Sequence, residues 1–193
     1  SLGADGIIRD FRYGDSLRWP RGADGTGYSL VLRAPESLPD HSLAVNWRSS
    51  ALPDGNPGNS DAIPAFTGDP HRDDDLDGLT ALLEHALGGD PDTAEPELIP
   101  AASVMNLEVE GTFDAYLTIS ARRVLGADDV NLVAQISENL VDWSSAPERV
   151  VLVSEVPNAD STSTMTWRSA RPIAEAPHEF LRMEASIQRF PFR

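Results

Sequence analysis

The feature that most constrains the fold of this chain is a series of short segments, beginning near residue 100, in which apolar and polar residues alternate. A period of two places successive side chains on opposite faces of a β-strand, so that one face of each segment can be buried. The segments are 106–110, 115–122, 131–137, 149–156, 163–168 and Phe180–Ile187. Strands at this spacing predict an antiparallel β-sandwich over residues 100–193.

Two further parts precede this predicted sandwich. Residues 1–60 are rich in glycine, proline and aromatic residues, and their short apolar runs at 6–13, 28–33 and 43–47 predict β-strands separated by turns. Residues 61–99 contain several prolines and one helical pattern, which indicates a linker between the two β-rich parts. The sequence therefore predicts a mainly β protein.

Residues 73–84 of the linker, DDDLDGLTALLE, have the ligand spacing of an EF-hand-type calcium loop. Aspartates stand at positions one, three and five, and glutamate stands at position twelve. Gly78, at position six, permits the sharp turn that such a loop needs. The predicted ligands are Asp73, Asp75, Asp77, the carbonyl of Leu79 and Glu84.

Calcium suits this donor set better than magnesium, because a flexible loop of many oxygens matches its loose coordination. Without a cation, adjacent carboxylates repel each other by roughly 1 kcal/mol per close pair even at the dielectric constant of water. Position nine is Ala81, so a water is the expected ligand there. The alternative is a solvated acidic loop that caps a helix, with Asp77 near the N-cap and no metal.

The residues after the acidic run predict one short amphipathic helix. Apolar residues recur there at helical spacing, and Gly88 and Gly89 end the pattern. The apolar residues are Leu79, Leu82, Leu83, Ala86 and Leu87. A single loop with a single helix is not a paired calcium sensor, so we expect a structural clip.

Composition excludes several classes of function. The 193 residues include no cysteine, which excludes disulfides and thiolate chemistry, and all 15 basic residues are arginine, which excludes lysine Schiff bases. The formal net charge of −16 disfavours nucleic acid and anionic membrane surfaces as partners. We find no apolar run that could cross a bilayer and no signal peptide at Ser1, and we expect a mature or excised part of an extracellular or cell-surface protein.

Three runs in the first part, WPRGADGTGYSLVLRAP, NWRSS and GNPGNSD, resemble the closing strands of a lamin-tail domain, an immunoglobulin-like β-sandwich of secreted bacterial proteins. The run FTGDPHRDDDLDGLTALLEHALGGDP is similar to a segment that often follows this domain, and is less acidic than thrombospondin-type-3-like repeats. The core ARRVLGADDVNLVAQISENLVDW and the ending HEFLRMEAS resemble the C-terminal β-sandwich of planctomycete and verrucomicrobial surface proteins.

This resemblance implies two immunoglobulin-like β-sandwich units, at 1–60 and 100–193, joined by a calcium loop with one short helix at 61–99. It also implies Asp69 or Asp90 as auxiliary calcium ligands. A lamin-tail domain is longer than the first unit, so that unit would be incomplete. We therefore expect a protein partner, either a neighbouring subunit or a separate fragment, that supplies the missing strands.

The chain offers little that indicates catalysis. Its histidines lie outside the known catalytic motifs, and the pair Asp128 and Asp129 is more simply a turn between two strands. The histidines are His41, His71, His85 and His178.

The tryptophans could form a platform on which a polysaccharide stacks, although tryptophans that anchor a core are commoner. The four tryptophans are Trp19, Trp47, Trp143 and Trp167.

These observations predict a non-enzymatic, extracellular, calcium-stabilised module that serves in structure, adhesion or assembly of a bacterial surface protein or filament. One alternative is an accessory C-terminal fragment of a secreted multidomain enzyme, since lamin-tail domains accompany hydrolase and CotH-kinase-like domains. The other is a carbohydrate-binding module.

Overall fold

In the computed structural model, which describes residues 10–14 and 19–188, the chain is mainly β, as the sequence predicted. Eight strands and one α-helix are found in these residues, and none of the described helices is both long and apolar enough to span a membrane. The elements are β1 (Tyr28–Leu32), β2 (Trp47–Pro53), α1 (Ala81–Leu87), β3 (Ala101–Val109), β4 (Thr112–Val124), β5 (Val130–Ser137), β6 (Val150–Pro157), β7 (Thr162–Ser169) and β8 (Phe180–Ile187).

Strands β3 to β8 form two antiparallel sheets that enclose the main core. One sheet has the order β3-β4-β7-β6, and the other consists of β5 and β8. Helix α1 lies against β4, β5 and β8, so the linker contributes directly to the core. The buried cluster includes Leu82, Ala86 and Leu87 from the helix with Ile119, Leu132, Ile136 and Trp167 from the strands.

The alternation in the sequence explains the burial along these strands. In β5, every second side chain is buried, beginning with Val130 and ending with Ile136, and the intervening side chains are partly exposed. This is the pattern that a strand with one buried face must show. The structure confirms the predicted strands of the third part to within one or two residues, apart from the extents of β3 and β4.

Strand β3 begins at Ala101, five residues before the predicted start at 106. The residues from Ala101 to Asn106 are all exposed, so burial imposes no alternation on them. Their extended conformation comes from pairing with β4, in a register that runs unbroken from Ala101–Ser120 to Val109–Thr112. Pairing of this kind leaves no signal in the hydrophobic pattern.

The first part of the chain forms a two-stranded antiparallel sheet of β1 and β2. The prediction of a strand at 43–47 is wrong: residues Ala44–Asn46 form a 3-10 helix, and the strand starts at Trp47. A hydrogen bond from the Asn46 N–H to the Leu43 carbonyl closes that turn. Of the strand predicted at 6–13, residues 6–9 lie outside the described residues, and the described residues 10–13 are not a strand.

Candidate metal centre

Three aspartates of the acidic loop, residues 73–84, come together as the sequence predicted. Asp73, Asp75 and Asp77 each offer a carboxylate oxygen, and these oxygens lie within 4.8 Å of one another. All three side chains are partly buried, whereas the intervening Asp74 is exposed and forms an ion pair with Arg72. The alternation of the sequence therefore places alternate carboxylates on one side of the loop.

The backbone of the loop makes this arrangement possible. Gly78 has a φ of 92° and Leu76 a φ of 62°, both in the left-handed region that produces tight turns. The Gly78 N–H donates to Asp73 Oδ2 at 3.2 Å, and the Leu79 N–H donates to Asp77 Oδ1 at 2.8 Å. These hydrogen bonds hold the loop closed around the carboxylates.

Glu84 is the most unusual side chain in the loop. It is only 2% exposed, and neither of its carboxylate oxygens has a hydrogen-bond partner among the described residues. Burial, followed by the nearby charges of Asp75, Asp77 and Asp73, raises the pKa of Glu84 from 4.5 to about 7. Glu84 lies outside the tight group of three aspartates but within reach of their electric field.

Two aspartate oxygens share this lack of a partner. Asp73 Oδ1 and Asp75 Oδ2 are buried and accept no hydrogen bond from the described residues. A buried carboxylate oxygen without a partner costs free energy, and several of them side by side cost more because they repel one another. The residues present thus fit a hard cation such as Ca²⁺, which would take these oxygens as ligands.

Helix α1 fixes Glu84 in place. The helix also carries Leu82, Ala86 and Leu87 into the core, where each is at most 4% exposed. The Glu84 carbonyl accepts the N–H groups of Gly88 and Gly89, and Gly88 ends the helix with a φ of 85°. The acidic loop is therefore anchored to the sandwich through a rigid element.

The remaining predicted ligands, Leu79, Asp69 and Asp90, do not belong to the group of three aspartates. The Leu79 side chain is buried in the core at 3% exposure, and its carbonyl stays a predicted ligand. The Asp69 and Asp90 carboxylates each accept a backbone N–H two residues further on, so each stabilises its own turn.

Sequence reasoning missed Glu95. Its N–H donates to Asp77 Oδ2 at 3.1 Å, and its charge contributes to the raised pKa of Glu84. Glu95 lies 18 residues after Asp77, just before the 3-10 helix Pro96–Leu98, in a segment without periodicity. No feature of the sequence indicates this contact, which exists because the chain folds back after α1.

A second group of charged side chains joins β1 and β2 to the sandwich, and we call it the arginine cluster: Arg33, Arg48, Asp61 and Asp128. Arg48 donates through Nη2 to Asp61 Oδ1 and through Nε to Asp128 Oδ1, both at 2.6 Å. Arg33 donates through Nη2 to the Asp128 carbonyl at 2.6 Å. The cluster is almost entirely buried, since the side chains of Arg48 and Asp61 are 6% and 8% exposed.

In the arginine cluster, Arg48 and Asp61 stabilise each other's ionised form, whereas burial and the nearby charge of Arg123 lower the pKa of Arg33 to about 10. Although burial lowers it, the pKa of Arg48 is raised overall by the hydrogen bonds that Arg48 donates to Asp61 and Asp128. Burial raises the pKa of Asp61, but the hydrogen bond that Asp61 accepts from Arg48 outweighs this effect and lowers the pKa overall. Asp128 lies in a turn before β5, as predicted, but its ion pair with Arg48 spans 80 residues of sequence and could not be predicted.

A cavity of about 540 Å³ adjoins the arginine cluster, between β1 and the loop 56–62. Its charged lining includes Arg48, Asp61 and Asp128, which are already paired with one another. Nearby, His85 Nε2 lies 3.4 Å from Asp129 Oδ1, while Asp129 Oδ2 accepts the N–H of Phe66. These polar groups are engaged in holding the chain together.

Comparison of this chain with protein-family models, with curated proteins and with solved structures gave no match.

Proposed function

We propose that this chain is a non-enzymatic, calcium-stabilised structural module of an extracellular protein. The observation that carries the proposal is the buried Glu84 carboxylate, which has no hydrogen-bond partner among the described residues and lies within the electric field of the three grouped aspartates. A cation bound there would be held by Asp73, Asp75, Asp77 and Glu84, with the Leu79 carbonyl completing the protein ligands. It would supply the positive charge that these four carboxylates lack, since Arg72 pairs with Asp74 and no described residue forms an ion pair with any of the four.

The position of the loop supports a structural role. The loop continues into the first turn of α1, whose apolar face packs in the core, and the chain reaches the loop from β2 by way of Asp61 of the arginine cluster. A cation that bridges the loop and the helix would fix the path of the linker between the two β-rich parts. In this proposal these parts are two β-sandwich units, and the first is completed by a neighbouring subunit or a fragment.

The aromatic side chains favour packing over sugar binding. Trp47 stacks on Phe11 at a ring-centre distance of 5.1 Å, and Trp19 lies 6.5 Å from Trp47. The guanidinium of Arg182 covers the ring of Trp143 at 4.2 Å. Rings engaged in this way present less open surface on which a sugar could stack.

The proposal is tested by calcium titration of the chelator-treated protein, followed by calorimetry and thermal melting. A ligand bound only by the folded state, at a concentration of 100 times its Kd, stabilises that state by about 2.7 kcal/mol. We expect the melting temperature to rise by roughly 5–10 °C for a chain of this size. No heat of binding together with an unchanged melt would refute the proposal.

A pair of variants makes this test specific. Glu84→Gln removes one charge from a proposed ligand and should abolish the calcium-dependent rise in melting temperature. Asp74→Asn removes one charge from the same loop, but Asp74 pairs with Arg72 and lies outside the group of three aspartates, so the rise should persist. Equal loss in both variants would indicate diffuse attraction to an acidic loop instead of a coordinated ion.

A further inference from the structure

The strand β3 presents an unprotected edge. It is the first strand of the order β3-β4-β7-β6, and no strand of the described residues pairs with its outer side. An unpaired edge exposes a row of backbone N–H and carbonyl groups that can pair with another strand. Proteins that stay monomeric usually shorten, charge, bend or cover such an edge.

Apart from Glu108 near the end of the strand, β3 shows none of these protective features among the described residues. The strand is nine residues long, and its pairing with β4 contains no bulge. Residues 99–107 carry no charge, and Ala101–Val109 contain no proline. In addition, Val104 is 59% exposed and Met105 is 40% exposed, so both faces of the strand are open near its centre.

The other outer strand of this sheet differs in these respects. The pairing of β6 with β7 is interrupted by a register shift between Leu152 and Ser154, and the strand ends at Pro157. A bulge bends an edge strand, and proline removes a backbone donor. Because one outer strand of this sheet is protected and the other is not, the open edge of β3 is the side of the sheet where another strand can pair.

The sheet also leaves apolar surface uncovered beside β3. Val104 is opposite Leu117 in the β3–β4 register, and it shares a face with the core residue Ile119. Phe113, on the same face of β4, is 70% exposed. The core-facing side of the sheet thus continues past the region that β5, β8 and α1 cover.

We infer that β3 is an interface that pairs antiparallel with β3 of a second copy of this chain, about a two-fold axis at Met105. In this register Glu108 lies opposite Ala102 of the partner copy, and Glu110 lies opposite Pro100. The acidic end of each strand therefore meets the uncharged end of the other. Parallel self-pairing would instead align Glu108 with Glu108, which is unfavourable for a chain with a net charge of −16.

The product would be one continuous eight-stranded sheet across two copies, with Met105 packing on Met105 at the axis. The interface is isologous, so it closes as a dimer without further growth through the same edge. It does not involve the acidic loop. Dimer formation should therefore be the same in calcium and in chelator, which separates this inference from the proposed function.

The first test is the molar mass of the full chain by sedimentation across a range of concentrations. We expect the mass to rise from 20.9 kDa to twice that value. Met105→Lys places two like charges opposite each other at the axis and should abolish the rise. Val141→Lys makes a similar charge change at an exposed site in the loop after β5, and should leave it intact. A chain that stays monomeric throughout, or equal behaviour of the two variants, would overturn the inference.

The second test defines the register, and it uses the absence of cysteine from the chain. Met105→Cys brings two thiols together at the axis, where paired Cα atoms lie about 4.5–5.5 Å apart, within the range of a disulfide. Ala101→Cys puts the two thiols roughly 27 Å apart at about 3.4 Å per residue. Under mild oxidation only Met105→Cys should give a covalent dimer. Cross-linking of both variants to the same extent would exclude the proposed register.

Discussion

The arginine cluster and the acidic loop both bury carboxylates, but their counter-charges differ in origin. In the arginine cluster, Asp61 and Asp128 each lie 2.6 Å from a nitrogen of Arg48. In the acidic loop, both oxygens of Glu84 lack a hydrogen-bond partner among the described residues. The carboxylates of the first group are paired with an arginine of the chain, whereas Glu84 and the three aspartates have no ion-pair partner among the described residues, which supports the proposed cation. Structural and ligand-binding charges can thus be distinguished by whether buried oxygens are satisfied.

The largest effect should follow from breaking the arginine cluster. Arg48→Ala leaves Asp61 and Asp128 buried without their partner, which costs about 3–5 kcal/mol in the free energy of unfolding. Denaturant unfolding, with and without calcium, measures this loss. The loss should be equal with and without calcium, because the arginine cluster is not part of the proposed calcium site. A loss seen only in the chelator-treated protein would contradict the distinction between the arginine cluster and the acidic loop.

The pH dependence of the metal-free protein should be the next largest effect. Glu84 keeps its proton in the folded state up to a pKa of about 7, while the unfolded chain releases it near 4.5. Stability should therefore fall as the pH rises from 4.5 to 7, by about 3 kcal/mol at 1.36 kcal/mol per pKa unit. Denaturant unfolding between pH 5 and 8 measures the slope.

Glu84→Gln is the control for that slope, since glutamine does not titrate and the slope should disappear. Asp61 does not interfere, because its pKa is lowered in the folded state: its contribution is present above its ordinary pKa of 3.8 and is lost only as the pH falls through the folded value. Bound calcium should also remove the slope by holding Glu84 ionised. A slope that persists in the glutamine variant would assign it to another group.

The smallest effect should come from an exposed ion pair. Arg122 Nη2 lies 3.2 Å from Asp160 Oδ2, with the two side chains 37% and 53% exposed. Arg122→Ala should cost less than about 1 kcal/mol because water screens the pair. The same unfolding assay measures it beside Arg48→Ala. A cost equal to that of Arg48→Ala would show that burial does not separate the two pairs.

The accuracy of the sequence-based prediction follows the strength of the local signal. The alternation in β5 and β8 and the helical spacing of α1 placed those elements closely, because each has one face in the core. The segment 43–47 was misassigned because a short apolar run does not distinguish a strand from a 3-10 turn. The start of β3 was missed because its residues are exposed and carry no pattern.

The sequence by itself determined the grouping of Asp73, Asp75 and Asp77, because the three residues share one short loop whose turn is set by glycine. Only the tertiary structure decided three other features. Glu84 is buried with no hydrogen-bond partner among the described residues, Glu95 lies near it, and Arg48 forms an ion pair with Asp128. Local spacing fixes local geometry, whereas burial and long-range pairing depend on how distant segments pack, and the sequence pattern does not encode those distances.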